Sequence, residues 1–152
     1  MKKIYINLLS VMFLFIAISQ TLNAKNIVSP IGSWTTISDK TNKPRSIIKI
    51  KIINSILEAK IIKVFANKGD TGICSHCSGS LKNKPIKGLR IVWNMKPSGN
   101  RSWAGGKILD PKSGKIYKCN ISIDKSGTKL FVRGYIGISL FGRSQTWLRK
   151  PD

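Results

Sequence analysis

Residues 115–136 read KIYKCNISIDKSGTKLFVRGYI. The first ten alternate, with Tyr117, Cys119, Ile121 and Ile123 on one face and Lys118, Asn120 and Ser122 on the other. A period of two is that of a β-strand with one apolar and one wet face. KSGT then supplies turn residues, and KLFVRGYI alternates again, setting Leu130, Val132 and Ile136 against Phe131, Arg133 and Tyr135. Two such strands joined by a short polar turn make an antiparallel hairpin, and the rest of the chain repeats the theme.

Toward the N-terminus, SIIKIKI (residues 46–52) places Ile48, Ile50 and Ile52 opposite Lys49 and Lys51. Asn54 and Ser55 suit a tight hairpin turn. ILEAKIIKVF (56–65) contains helix-compatible Glu, Ala and Lys, but its β-branched content and its strand neighbours favour a strand. IKGLRIVWNM (86–95) reads as a strand with Leu89, Ile91, Trp93 and Met95 on one side, and WAGGKILD as a short strand interrupted by Gly105–Gly106. WTTIS near the start and SLFGRSQTWLRK near the end, with Trp147 and Arg149 on one face, complete about eight strands without an amphipathic helix. The expectation is an all-β, single antiparallel up-and-down barrel, because sequential hairpins need no long crossovers and closure removes exposed edges. An eight-stranded barrel either fills its interior with side chains or holds one small ligand.

Residues 1–24 read differently. MKK is a positive n-region, Leu8–Ser19 an apolar run and TLNA a small-residue cleavage site, the pattern of a signal peptide. The run is shorter than the roughly 20 residues that span a bilayer. The expected organisation is a cleaved leader over 1–24 and one barrel domain over 25–152, exported to the periplasm or secreted. Twenty-seven basic residues face six acidic ones, a formal charge of +21, and only Lys2 and Lys3 belong to the leader. Such a surface suits anionic partners such as lipid headgroups or envelope polymers. The blander source is AT-rich coding, which enriches Ile, Lys and Asn together. The basic residues are spread along the chain, so no specific nucleic-acid site is implied.

Residues 66–85, ANKGDTGICSHCSGSLKNKP, form the longest stretch without periodicity and hold Cys74, Cys77 and the lone His76. A loop of this length is usually functional or pinned. Structural zinc needs four ligands; Cys74, Cys77, Cys119 and His76 are all that is on offer, and His76 lies between the paired cysteines, so no metal is expected. Thiol–disulfide exchange through Cys74/Cys77 needs a thiolate at a helix N-terminus, and SGSLKNKP is poor helix material. In an oxidising compartment the pair reads as a local disulfide. Cys119 then lies on the apolar face as a buried thiol; its pairing with Cys74 or Cys77 instead requires the loop to fold over the barrel opening.

Beyond these local readings, GSW near residue 32, CSHCSGSLKNKPIKGLRIV, GKILDPKSGKIY (106–117) and RGYIGISLFGRSQTW (133–147) together resemble the family of small exported bacterial proteins called domain of unknown function 2147. The resemblance runs over roughly Gly32 to Arg149 and implies a lipocalin-like barrel of the calycin group. It supplies no catalytic residues. In such a barrel, Gly32 and Trp34 open the first strand and the indole plugs the closed end, with Arg143 or Arg149 from the last strand lying over it as a cation–π partner.

Function reads as follows. The acidic residues Asp39, Glu58, Asp70, Asp110, Asp124 and Asp152 sit mostly at turns, and nothing forms a nucleophile–base–orienter set, so no enzyme and no cofactor are expected. Trp93, Tyr117, Phe131 and Tyr135 are the candidates to line an interior; they either fill a core or bound a cavity for a small apolar or amphipathic ligand. The alternative is a basic adaptor on an anionic envelope surface.

Overall fold

A computed structural model describes residues 28–39, 41–66 and 68–151. The leader assigned to residues 1–24 lies outside them. Eight strands run in chain order: β1 Gly32–Ile37, β2 Pro44–Ile53, β3 Ile56–Val64, β4 Arg90–Gly99, β5 Ser102–Asp110, β6 Lys115–Ile123, β7 Lys129–Tyr135 and β8 Gly142–Lys150. Each pairs antiparallel with the next, and β8 returns to β1, closing the barrel. This is the up-and-down architecture of a lipocalin-like fold. The ambiguous segment after Ser55 is strand β3, and Asn54 and Ser55 both take positive φ in the tight turn before it.

Two stretches depart from simple alternation for one shared reason. Leu57 and Ala59 of β3 oppose Met95 and Val92, so β4 carries one extra residue there, and Asn94 sits at φ 58°. On β5, Trp103 and Gly106 oppose Ile121 and Cys119, again one residue in excess, with Gly105 at φ 77°. These are β-bulges, which bend a strand and shift the parity of its faces. The Gly105–Gly106 pair therefore does not interrupt β5; it bends a continuous strand. Likewise Leu89, Ile91, Trp93 and Met95 do not share a face: Val92 and Met95 are fully buried while Trp93 is half-buried. A Cβ on Gly106 would collide with Met95 Sδ and the Trp93 carbonyl, so only glycine fits where the two bent strands meet.

The turns at 54–55, 100–101 and 124–128 lie at one end, which the segment 28–31 crosses. In the 124–128 turn, the Asp124 carboxylate accepts from the Ser126 hydroxyl and from the Lys129 and Thr128 amides. These bonds hold its pKa down, to about 2. The described parts of the β1–β2 and β3–β4 loops, with the turn 111–114 and the loop 136–141, lie at the other end. Packing is uneven between the ends. Trp34, Ile50, Leu57, Met95, Trp103, Ile123 and Leu130 fill the closed half. Toward the mouth, the interior positions carry Thr36, Ser46, Gly134 and Gln145, which fill far less space.

Candidate functional site

The space left by those small residues is a cavity of about 770 Å³ opening among the mouth loops. Its apolar wall includes Ile48, Ile61, Ile91, Ile108 and Val132, with Trp147 at the level of its floor. Ile48, Ile61, Val132 and Trp147 also belong to the buried core, so the floor is continuous with the packed half. Gly134 has an ordinary φ, and a Cβ there would touch Ile108 Cγ2 at 3.4 Å and Tyr117 Cβ at 3.5 Å. Glycine is thus not required by the backbone at 134, where a Cβ would fit in ordinary contact with Ile108 and Tyr117 and a longer side chain would extend among the cavity-lining residues. Gly142 differs: a Cβ there would meet the Gly134 carbonyl oxygen at 2.6 Å, so close strand approach demands glycine.

Polar groups are few and placed. Thr36 and Ser46 satisfy one another across β1 and β2, hydroxyl to hydroxyl at 2.7 Å, and the Ser46 amide donates to Thr36 Oγ1. Trp147 Nε1 donates to Gln145 Oε1 at 3.5 Å. Arg45, Lys112 and Arg143 stand among the mouth residues that bound the cavity. Asp110, also there, is occupied by its own turn, accepting from the Lys112 amide and the Ser113 hydroxyl.

Of the four aromatic candidates, Tyr117 and Tyr135 border the cavity. Tyr135 sits at its rim, and its hydroxyl donates to Asn120 Oδ1 at 3.5 Å. Phe131 and Trp93 leave the set. Alternation along β7 turns Leu130 and Val132 inward and sends Phe131 to the outer face, 45% exposed. Trp93 lies beside the Asn94 bulge and packs against the core without bounding the cavity. What sequence reading missed was the aliphatic wall, because strand isoleucines at cavity and core positions look alike.

At the closed end, the Arg149 guanidinium lies 4.3 Å from the Trp34 ring centroid. Arg149 donates from Nε to the Gly127 carbonyl at 2.5 Å, from Nη1 to Ile31 at 3.0 Å and from Nη2 to Ser29 at 2.5 Å. Trp34 Nε1 donates to the Pro30 carbonyl at 2.8 Å. Gly32 has φ 128°, and a Cβ there would stand 3.0 Å from Arg149 Nη1. Arg143 is not part of this cluster. Its place early in β8 puts it at the mouth, where it pairs with Asp39.

Cys74 and Cys77 are disulfide-bonded and buried, and Cys119 is a buried free thiol. Burial raises the Cys119 pKa to about 12 by desolvating the thiolate. The loop carrying the disulfide leans on the 111–114 turn, where a Cβ on Gly114 would overlap the His76 carbonyl. Only the three-residue 3-10 turn Gly79–Leu81 follows Cys77, so neither sulfur meets a helix N-terminus or open solvent, as an exchanging thiol requires. Among the described residues no group of three His, Cys, Asp or Glu side chains converges.

A model of the family described as "Uncharacterized protein conserved in bacteria (DUF2147)" matches residues 32–149. Among solved structures, the chain is similar to protein HP1028 from the human pathogen Helicobacter pylori, described as belonging to the lipocalin family. The TM-score is 0.70 at 22% identity, covering 82% of this chain and 84% of that one. Likeness at this identity concerns the fold. No curated protein matches the chain.

Proposed function

This chain belongs to the bacterial family DUF2147, and on that premise we propose that it is a non-catalytic binding protein for a small amphipathic molecule with an anionic head. The observation that carries this reading is the apolar cavity of about 770 Å³ with Arg45 and Lys112 at its mouth, beside the Arg143–Asp39 pair. Its size falls within the roughly 300–1,000 Å³ of small-molecule sites, and apolar walls with a few placed polar groups are what such sites have. An apolar tail would lie against Ile48, Ile61, Ile108 and Val132 over Trp147, and its head would meet the cationic rim. The Tyr117 hydroxyl, without a protein partner among the described residues, is a further donor for that head. The reading includes export to the periplasm or beyond after loss of residues 1–24; a disulfide in so small a domain supports an oxidising compartment.

The test is titration of the delipidated protein with a fluorescent single-chain fatty acid, read by quenching of tryptophan emission. The parent is expected to bind saturably. Gly134→Leu, whose side chain enters the space between Ile108 and Tyr117, is expected to lose binding while keeping its fold by circular dichroism. Equal binding by Gly134→Leu and the parent, or no uptake by the parent of any single-chain amphiphile, refutes the reading.

A further inference from the structure

The β7–β8 loop, residues 136–141, reads IGISLF and stands beside the cavity mouth. Ile136, Ile138, Leu140 and Phe141 are 66%, 61%, 75% and 72% exposed, the largest such cluster among the described residues. Isolated apolar side chains on a surface need no explanation, but a contiguous apolar tip does. This tip is also held in shape. Arg133 donates from Nε to the Ser139 carbonyl at 2.7 Å and from Nη2 to the Leu140 carbonyl at 3.0 Å. Lys118 Nζ reaches the Gly137 carbonyl at 3.2 Å, and the Phe141 amide donates to the Ile138 carbonyl. Loop carbonyls that normally need water are thereby satisfied from within, which removes the main cost of moving backbone into an apolar medium.

Charge around the tip has one dominant sign. No acidic residue occurs from 125 to 151, while Arg133 and Arg143 stand at the mouth ends of β7 and β8. Lys112, Lys115 and Lys118 stand on the neighbouring turn and on β6. Of the acidic residues at this end, Asp39 pairs with Arg143, Asp110 is held by its own turn, and Asp70 borders the cavity. An apolar projection flanked by more cations than acids matches the interface of an anionic bilayer, where apolar side chains enter the acyl boundary and Lys or Arg meet headgroups.

We propose that residues 136–141 form a membrane-docking tip that inserts Ile138 and Leu140 into the surface of an anionic lipid bilayer and brings the cavity mouth against the lipid. The tip requires no occupant in the cavity, so it stands independently of the ligand reading above.

The test is co-sedimentation of the leader-free protein with phosphatidylcholine vesicles with and without one quarter phosphatidylglycerol. Binding is expected to the anionic vesicles and to weaken as salt screens the cations. Ile138→Ser/Leu140→Ser, two exposed positions outside the cavity wall, is expected to lower the partition coefficient at least about tenfold while fatty-acid binding in vesicle-free solution stays at the parent level. Gly134→Leu is expected to lose fatty-acid binding and keep vesicle binding, which separates the two readings. A polarity-sensitive dye on Leu140→Cys is expected to shift to the blue with anionic vesicles; Cys119 is buried and leaves the label site-specific. No sedimentation at low salt, undiminished binding by the double variant, or a vesicle-free self-association that the double variant abolishes would each overturn the proposal, the last by assigning the tip to a second copy of the chain.

Discussion

Replacing Arg149 with alanine removes a side chain that ties the last strand to both the 124–128 turn and the 28–31 segment. Three bonds to carbonyls are lost, two of them at 2.5 Å. A hydrogen bond to a charged group contributes about 1.5–3 kcal/mol, and the stack on Trp34 about 0.5–2 kcal/mol. A plain sum overshoots, because the site is half-exposed and water reaches carbonyls that the guanidinium leaves. The lower ends of the ranges, discounted for that water, give about 3–4 kcal/mol, a large part of the roughly 5–15 kcal/mol that stabilises an ordinary domain. Urea unfolding followed by tryptophan emission reads the change directly. Arg149→Lys keeps the charge but not the planar fork that serves three acceptors and stacks on the indole, so it should recover less than half of the loss. Trp34→Phe should cost about 1–2 kcal/mol through the Pro30 bond and the weaker stack. An Arg149→Ala cost below about 1 kcal/mol, or one equal to that of Arg149→Lys, would refute the idea that the fork clamps the closed end.

The two interior glycines separate cleanly. Gly106→Ala drives a methyl into Met95 and the β4 backbone and should destabilise by about 2 kcal/mol or more in the same urea assay, whereas Gly134→Ala, which meets only ordinary contacts, should change stability by less than about 1 kcal/mol. Reducing the Cys74–Cys77 bond, or replacing both with serine, releases a ring of only a few residues; loop entropy then predicts a loss of about 2 kcal/mol and a fold that survives, checked by near-ultraviolet circular dichroism. Cys119 should resist iodoacetamide at pH 8 in the native protein and react once urea unfolds it, as mass spectrometry would show. Because its folded pKa is raised to about 12, the folded state holds the thiol proton that the unfolded chain releases. That contribution is complete below the ordinary thiol pKa of about 8.5 and is lost as pH rises toward 12, so Cys119→Ala should flatten the alkaline decline in stability relative to the parent.

Much of the barrel was legible because its strands alternate and its turns carry Gly, Asn, Asp and Ser. Lys115–Ile123 and Lys129–Tyr135 follow their hydrophobic period, and the family resemblance runs over the same span as the matched region. Asn94 and Gly105 broke the reading, since a residue with positive φ inserts one position into a strand and a period of two has no means of counting it. For the same reason Trp93 was set with residues whose face it does not share. Phe131 was lost differently: its strand was read correctly, but which face is the inside depends on neighbours, and Leu130 and Val132 took it.

The chain's own pattern determined the all-β class, the order of hairpins and the burial of Cys119, because these follow from local periodicity and turn chemistry. The tertiary structure alone decided that Arg149 meets Trp34 while Arg143 goes to the mouth, since only closure of β8 on β1 sets that register. It also decided that the interior is half core and half cavity. That division depends on the summed volumes of Thr36, Ser46, Gly134 and Gln145 from four strands facing one space, a quantity no single stretch of sequence contains.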